Sequence, residues 1–60
     1  MLVRLKMLRR EKGITQKKLA EIVGTTQQSI NKYENHNIEP DISTLITMAD
    51  YFNISVDYLI

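Results

Sequence analysis

The stretch LAEIVGTTQQSINKYE, residues 19–34, decides the fold. Leu19, Ala20 and Val23 share one face at helical spacing. Gly24 follows, where the chain must adopt a positive φ. Thr25 or Thr26 then supplies an N-cap for a second helix running to about Glu34, on which only Ile30 and Tyr33 are apolar, three residues apart. Helix, three-residue turn and helix make a helix-turn-helix unit. Ala20 is small where the two helices cross, so their backbones can approach. Ile30 and Tyr33 are expected to bury the inner side of the second helix against Leu19 and Val23. Its buried stripe is narrow, and the surface left over is unusual. Gln27, Gln28 and Asn31 are flat amides rather than the Glu and Lys of an ordinary solvated helix.

The flanking sequence completes an all-α bundle. Leu5 and Leu8 define a first helix over about Val3–Lys12, ended by Gly13. Thr15 is an N-cap for a helix over Gln16–Val23. After Pro40, a helix from near Asp41 to Phe52 carries Leu45, Met48, Ala49 and Phe52 at i, i+3, i+4 and i+7, with Asn53 as a left-handed cap. Ser55 caps a last short helix bearing Val56, Leu59 and Ile60, and Ile54 is placed to reach the core. No segment alternates with period two, so no strand is predicted. Five helices in 60 residues form one domain, residues 1–60.

Composition narrows the function classes. There is no cysteine, hence no disulfide or thiolate metal site, which fits a reducing, cytoplasmic setting. The net charge of +1 hides a strong polarity. All eight basic residues lie in residues 1–32 with two acids, a net +6; residues 33–60 hold five acids and no Lys or Arg, a net −5. Such a chain can turn a positive face toward a polyanion, provided the two sequence halves also separate in space. MLVRLKMLRR is apolar and basic by turns, but no stretch approaches the ~20 apolar residues of a membrane span. One histidine, no Gly-rich phosphate loop and a single close carboxylate pair, Glu39 and Asp41 around Pro40, do not assemble a catalytic constellation. Neither enzyme activity, cofactor, metal nor small-molecule ligand is expected.

LRREKGITQ, the LAEIVGTT turn, INKYE, Pro40 and SVDYL together resemble the Cro and phage-repressor (XRE-like) family of helix-turn-helix DNA-binding domains, over about Leu5 to Leu59. GTTQQSI is similar to the start of the recognition helix in lambdoid phage repressors. The resemblance implies a compact five-helix, lambda-repressor-like domain that sits in the major groove of operator DNA. It further implies a homodimer on a palindromic site and, commonly, repression of transcription. The apolar end around Val56, Tyr58, Leu59 and Ile60 is either the dimer contact or the closure of the monomer core.

That setting gives the amides a use. Residues near the start of a recognition helix reach base edges, and a glutamine amide pairs bidentately with N6 and N7 of adenine. Gln27, Gln28 and Asn31 are the expected base readers, assisted by Ser29 or Lys32, on a half-site containing adenines. An alternative for Gln28 is a capping box with Thr25, in which it satisfies backbone groups and reads nothing. Gln16 opens the preceding helix, whose free N–H groups suit a phosphate. The family assigns a glutamine there to clamping the DNA backbone and steadying the recognition helix. Lys17, Thr26, Asn35, Asn37 and Arg9 or Arg10 are further candidate phosphate contacts. The family also often pairs an arginine of the first helix with the glutamate ending the third, here Arg9 and Glu34. Gly24, Ala20 and Ile30 complete the structural set.

The chain departs from the pattern after Glu34. His36 stands where the family often has glycine, and the loop NHNIEPD contains no Lys or Arg. His tolerates positive φ, so the turn is expected to survive with a weaker phosphate grip. A protein-binding module, such as an antitoxin, is the competing function on this fold.

Overall fold

Local capping chemistry sets the helix limits. The computed structural model describes residues 2–60; Met1 of the expected domain lies outside them. Five helices follow in order: α1 (Leu5–Glu11), α2 (Gln16–Val23), α3 (Gln27–Asn35), α4 (Ile42–Phe52) and α5 (Val56–Leu59). No strand occurs among the described residues. Four N-caps are side-chain oxygens accepting from a backbone N–H three residues on: Thr15 from Lys18, Thr26 from Ser29, Asp41 from Thr44 and Ser55 from Tyr58. Each satisfies one of the donors a helix start leaves unpaired. Helix α1 is the exception. Arg4 occupies its N-cap position without a side-chain cap, and α1 is shorter than expected, starting at Leu5 rather than Val3.

The turn between α2 and α3 is Gly24, Thr25 and Thr26. Gly24 is left-handed at φ 79, ψ 35. The N–H groups of Gly24 and Thr25 both donate to the Ala20 carbonyl, each at 2.9 Å. A methyl group on Gly24 would meet no atom within 4 Å, so glycine is needed there for its backbone and not for space. Asn53, at φ 57 and ψ 47, ends α4 in the same left-handed way. His36 does not take the positive φ expected of it. It lies extended at φ −125, ψ 165, and α3 ends with the His36 N–H on the Lys32 carbonyl. The chain therefore leaves α3 directly into the Pro40 loop, with no glycine-type reversal.

Leu2, Leu5, Leu19, Ile30, Met48 and Leu59 are all but inaccessible, one or more from every helix and one from the segment before α1. Each contributes about 1.5–3 kcal/mol by burial. Leu8, Ala20, Ala49 and Phe52 complete this core, with Val23, Tyr33 and Ile54 half-buried against it. Leu2 is an addition to the expected core. It continues the three-residue spacing of Leu5 and Leu8, and its N–H donates to the Tyr33 carbonyl at 3.1 Å. Val3, expected in the first helix, faces solvent. The most extensive helix contact is α2 on α3, and α1 and α4 brace that pair. Leu59 closes the core, while Tyr58 and Ile60 stay exposed.

Candidate nucleic-acid interface

Helix α3 is anchored from behind. Its inner side buries Ile30 and Glu34. Arg9 Nε donates to Glu34 Oε2 at 2.7 Å and Arg9 Nη2 to Glu34 Oε1 at 3.2 Å. Arg9 Nη1 donates to the Ile14 carbonyl at 2.8 Å. The Glu34 side chain has no exposed surface and that of Arg9 keeps 11%. A pair this deep holds only because it is bidentate and further hydrogen-bonded. It ties α1 to the end of α3 and thereby sets the angle at which α3 leaves the body.

Gln16 extends this anchor to the exposed side. Its Nε2 donates to Glu34 Oε1 at 3.1 Å and lies 3.5 Å from Asn31 Oδ1. Asn31 Oδ1 also accepts from Asn35 Nδ2 at 2.7 Å, and Asn35 Oδ1 accepts from Lys6 Nζ at 3.2 Å. These contacts join the start of α2 to α3. Both acceptors near Nε2 lie within the protein, on α3. Arg9 is likewise engaged within the protein, and Asn35 in the polar chain. Each keeps further N–H groups: two on the Arg9 guanidinium and one on the Asn35 amide.

The outer side of α3 differs. Gln27, Gln28 and Lys32 are exposed and Ser29 and Asn31 half-exposed. The side chains of Gln27, Gln28 and Lys32 make no hydrogen bond or ion pair among the described residues. The Thr25–Gln28 capping box does not form; Thr26 is the cap, and its hydroxyl also donates to Ser29 Oγ at 3.0 Å. Gln28, Asn31 and Lys32 stand at i, i+3 and i+4 and, with His36 and Ile38, line an open groove of about 450 Å³.

The basic residues divide similarly. Arg4 donates to the Tyr58 carbonyl at 3.0 Å and stacks over the Tyr58 ring at 4.6 Å; Lys12 lies over the Tyr51 ring at 5.3 Å. These cation–π contacts link the basic first half to the acidic second half, and spacing within the sequence gave no sign of them. Arg10, Lys17, Lys18 and Lys32 remain exposed without a charge partner among the described residues. Asn37 is exposed in the loop after α3. No group of three or more metal-ligating side chains occurs among the described residues, and no described helix is long and apolar enough to cross a membrane.

A short uncapped α1, a tight α2–turn–α3 pair and a braced outer helix define a helix-turn-helix domain of the Cro and phage-repressor type. The chain belongs to this family: the helix-turn-helix family model matches residues 5–59. It is a family of regulators, not of enzymes. Among curated proteins, the chain is 39% identical over 57 residues to the SPbeta prophage-derived HTH-type transcriptional regulator YonR of Bacillus subtilis (strain 168), covering 95% of this chain and 53% of that protein. It is 38% identical to the HTH-type transcriptional regulator YqaE and 37% identical to the HTH-type transcriptional regulator ImmR of the same organism, covering 48% and 45% of those proteins. The chain thus spans about half the length of the curated relatives it matches.

Proposed function

We propose that this chain is the sequence-specific, double-stranded-DNA-binding domain of a transcriptional repressor, and that α3 enters the major groove of a palindromic operator. One observation carries the reading. Gln27 and Gln28 stand exposed at the first two positions of α3 with no partner for their amides among the described residues, on a helix whose other side is locked by a buried ion pair. A rigid helix presenting ambivalent donor–acceptor amides is suited to read adenine edges. Arg10, Lys17 and Lys32 are the phosphate contacts left free to act, together with the main-chain N–H groups at the start of α2.

One such module reads few base pairs. Two on a palindrome, their α3 helices ~34 Å apart, supply the rest. Exposed Tyr58 and Ile60 at the end of the domain support a contact between copies. Selection of bound duplexes from a randomised pool tests the reading. A two-fold symmetric consensus with adenines in each half is expected. Enrichment of no sequence would overturn it in favour of a protein partner.

A further inference from the structure

The chain of amides beside α3 has a fixed polarity. Glu34 Oε1 at one end only accepts hydrogen bonds, so the Gln16 atom 3.1 Å from it is the amide nitrogen. The Lys6 ammonium at the other end only donates, so the Asn35 atom 3.2 Å from it is the carbonyl oxygen. Asn35 therefore turns its nitrogen, and Gln16 its second hydrogen, to the same atom of Asn31. That atom must be Oδ1: Asn35 Nδ2 binds it at 2.7 Å, and Gln16 Nε2 lies at 3.5 Å on the same oxygen. The amide orientations follow from the two charged ends and are not interchangeable.

We infer that Asn31 is held as a hydrogen-bond donor only, and that it takes an acceptor atom of DNA in the groove it lines with Gln28 and Lys32. This deepens the proposed function and rests on it. Gln27 and Gln28 have both amide atoms free and can match adenine, which offers a donor beside an acceptor. Asn31 cannot, because its oxygen is already engaged. Two donor hydrogens match the paired acceptors N7 and O6 of guanine, or a phosphate oxygen, and they clash with the N6 amino group of adenine. Lys32, the next residue, is also donor-only. The recognition surface thus changes character along α3, from ambivalent at its first turn to donor-only at its second. Lys6 and Asn35 act through Asn31 as positioning residues.

Asn31→Asp tests this. It keeps an oxygen for Gln16 and Asn35 but replaces the outward donor with an acceptor. Pool selection and affinity measurement are run in parallel on the wild type and N31D. Loss of guanine preference at one position per half-site identifies a base contact. A uniform loss of about tenfold or more on every duplex identifies a phosphate contact when Asn31→Ala, which removes the donor without adding a charge, shows a uniform loss too; a uniform loss in N31D alone is charge repulsion and overturns the inference. Unchanged affinity and consensus would overturn the inference. Proton exchange of the side-chain amides, read by NMR on the free wild-type protein, gives an answer independent of DNA. Asn31 hydrogens should exchange at the rate of a free asparagine, with those of Gln16 slowed. Slowed Asn31 hydrogens overturn the inference. If the wild type enriches no duplex, the DNA reading fails alone, and the exchange rates still decide the polarity of Asn31.

Discussion

Arg9 and Glu34, 25 residues apart, form a bidentate ion pair inside the domain, and Glu34 is also bonded by Gln16 from α2. Three helices converge on one carboxylate. Removing one partner strands the other charge in a dry site. Arg9→Ala or Glu34→Ala should each destabilise the domain by about 3–5 kcal/mol. Replacing both with apolar residues of similar volume should recover much of that loss. Urea unfolding of the two single variants and the double variant gives the coupling directly. Simple addition of the two single losses would refute a dry, mutually dependent pair.

Gly24→Ala separates conformation from space. The site has room for a methyl group but requires φ 79. The expected loss is about 1–2 kcal/mol, the left-handed cost of an L-residue. Thermal unfolding measures it, and an unchanged Tm would mean that the turn adapts.

Asp41 links pH to α4. Its carboxylate accepts from Thr44 at the helix start, and that contact holds its pKa below the usual aspartate value. A pKa depressed by folding means that the unfolded chain binds the proton more tightly. The stabilisation is therefore complete above the ordinary aspartate pKa and is lost as pH falls through the depressed value. Asp41→Asn keeps a cap without titrating, so this part of the acid sensitivity should disappear in D41N. Denaturation midpoints of the two proteins between pH 6 and pH 2.5, about the span over which carboxylates titrate, check it.

Much of this architecture was legible because its signals are local. The caps at Thr15 and Ser55, the turn glycine Gly24 and the left-handed Asn53 each depend on residues three or four apart. Their chemistry survives without knowledge of the fold. The burial of Leu2 was less visible, since it precedes the helix and is fixed by Tyr33 from α3. His36 departs from the analogy with glycine: α3 exits in extended backbone and needs no left-handed residue there. For the candidate interface, the exposure of Gln27 and Gln28 follows from the narrow apolar stripe on α3. The Arg9–Glu34 pair is an expectation from the family resemblance alone, whereas the bond of Asn35 to Lys6 follows from neither, because it joins side chains of α1 and α3. Charge spacing likewise could not reveal that Arg4 and Lys12 are paired with Tyr58 and Tyr51.

Lysines facing DNA should contribute through counterion release. Lys17→Ala and Lys32→Ala should weaken binding to specific and scrambled duplexes alike. Each should lower the slope of log K against log salt by about 1. Lys12→Ala, whose ammonium lies on Tyr51, should leave that slope unchanged. Titrations at several salt concentrations distinguish them.

In the proposed function, the exposed amides of α3 read sequence while its buried side fixes the reading angle. The direct measurement is the affinity of the wild type and of the Gln27→Ala, Gln28→Ala double variant for a selected duplex and its scrambled counterpart, at one salt concentration. The ratio of the two affinities should collapse in the variant, each bidentate contact being worth about 1–3 kcal/mol of discrimination. Affinity for the scrambled duplex and the thermal stability should stay unchanged. A ratio that survives loss of both glutamines would rule out base reading by these amides and move the reading surface away from the start of α3.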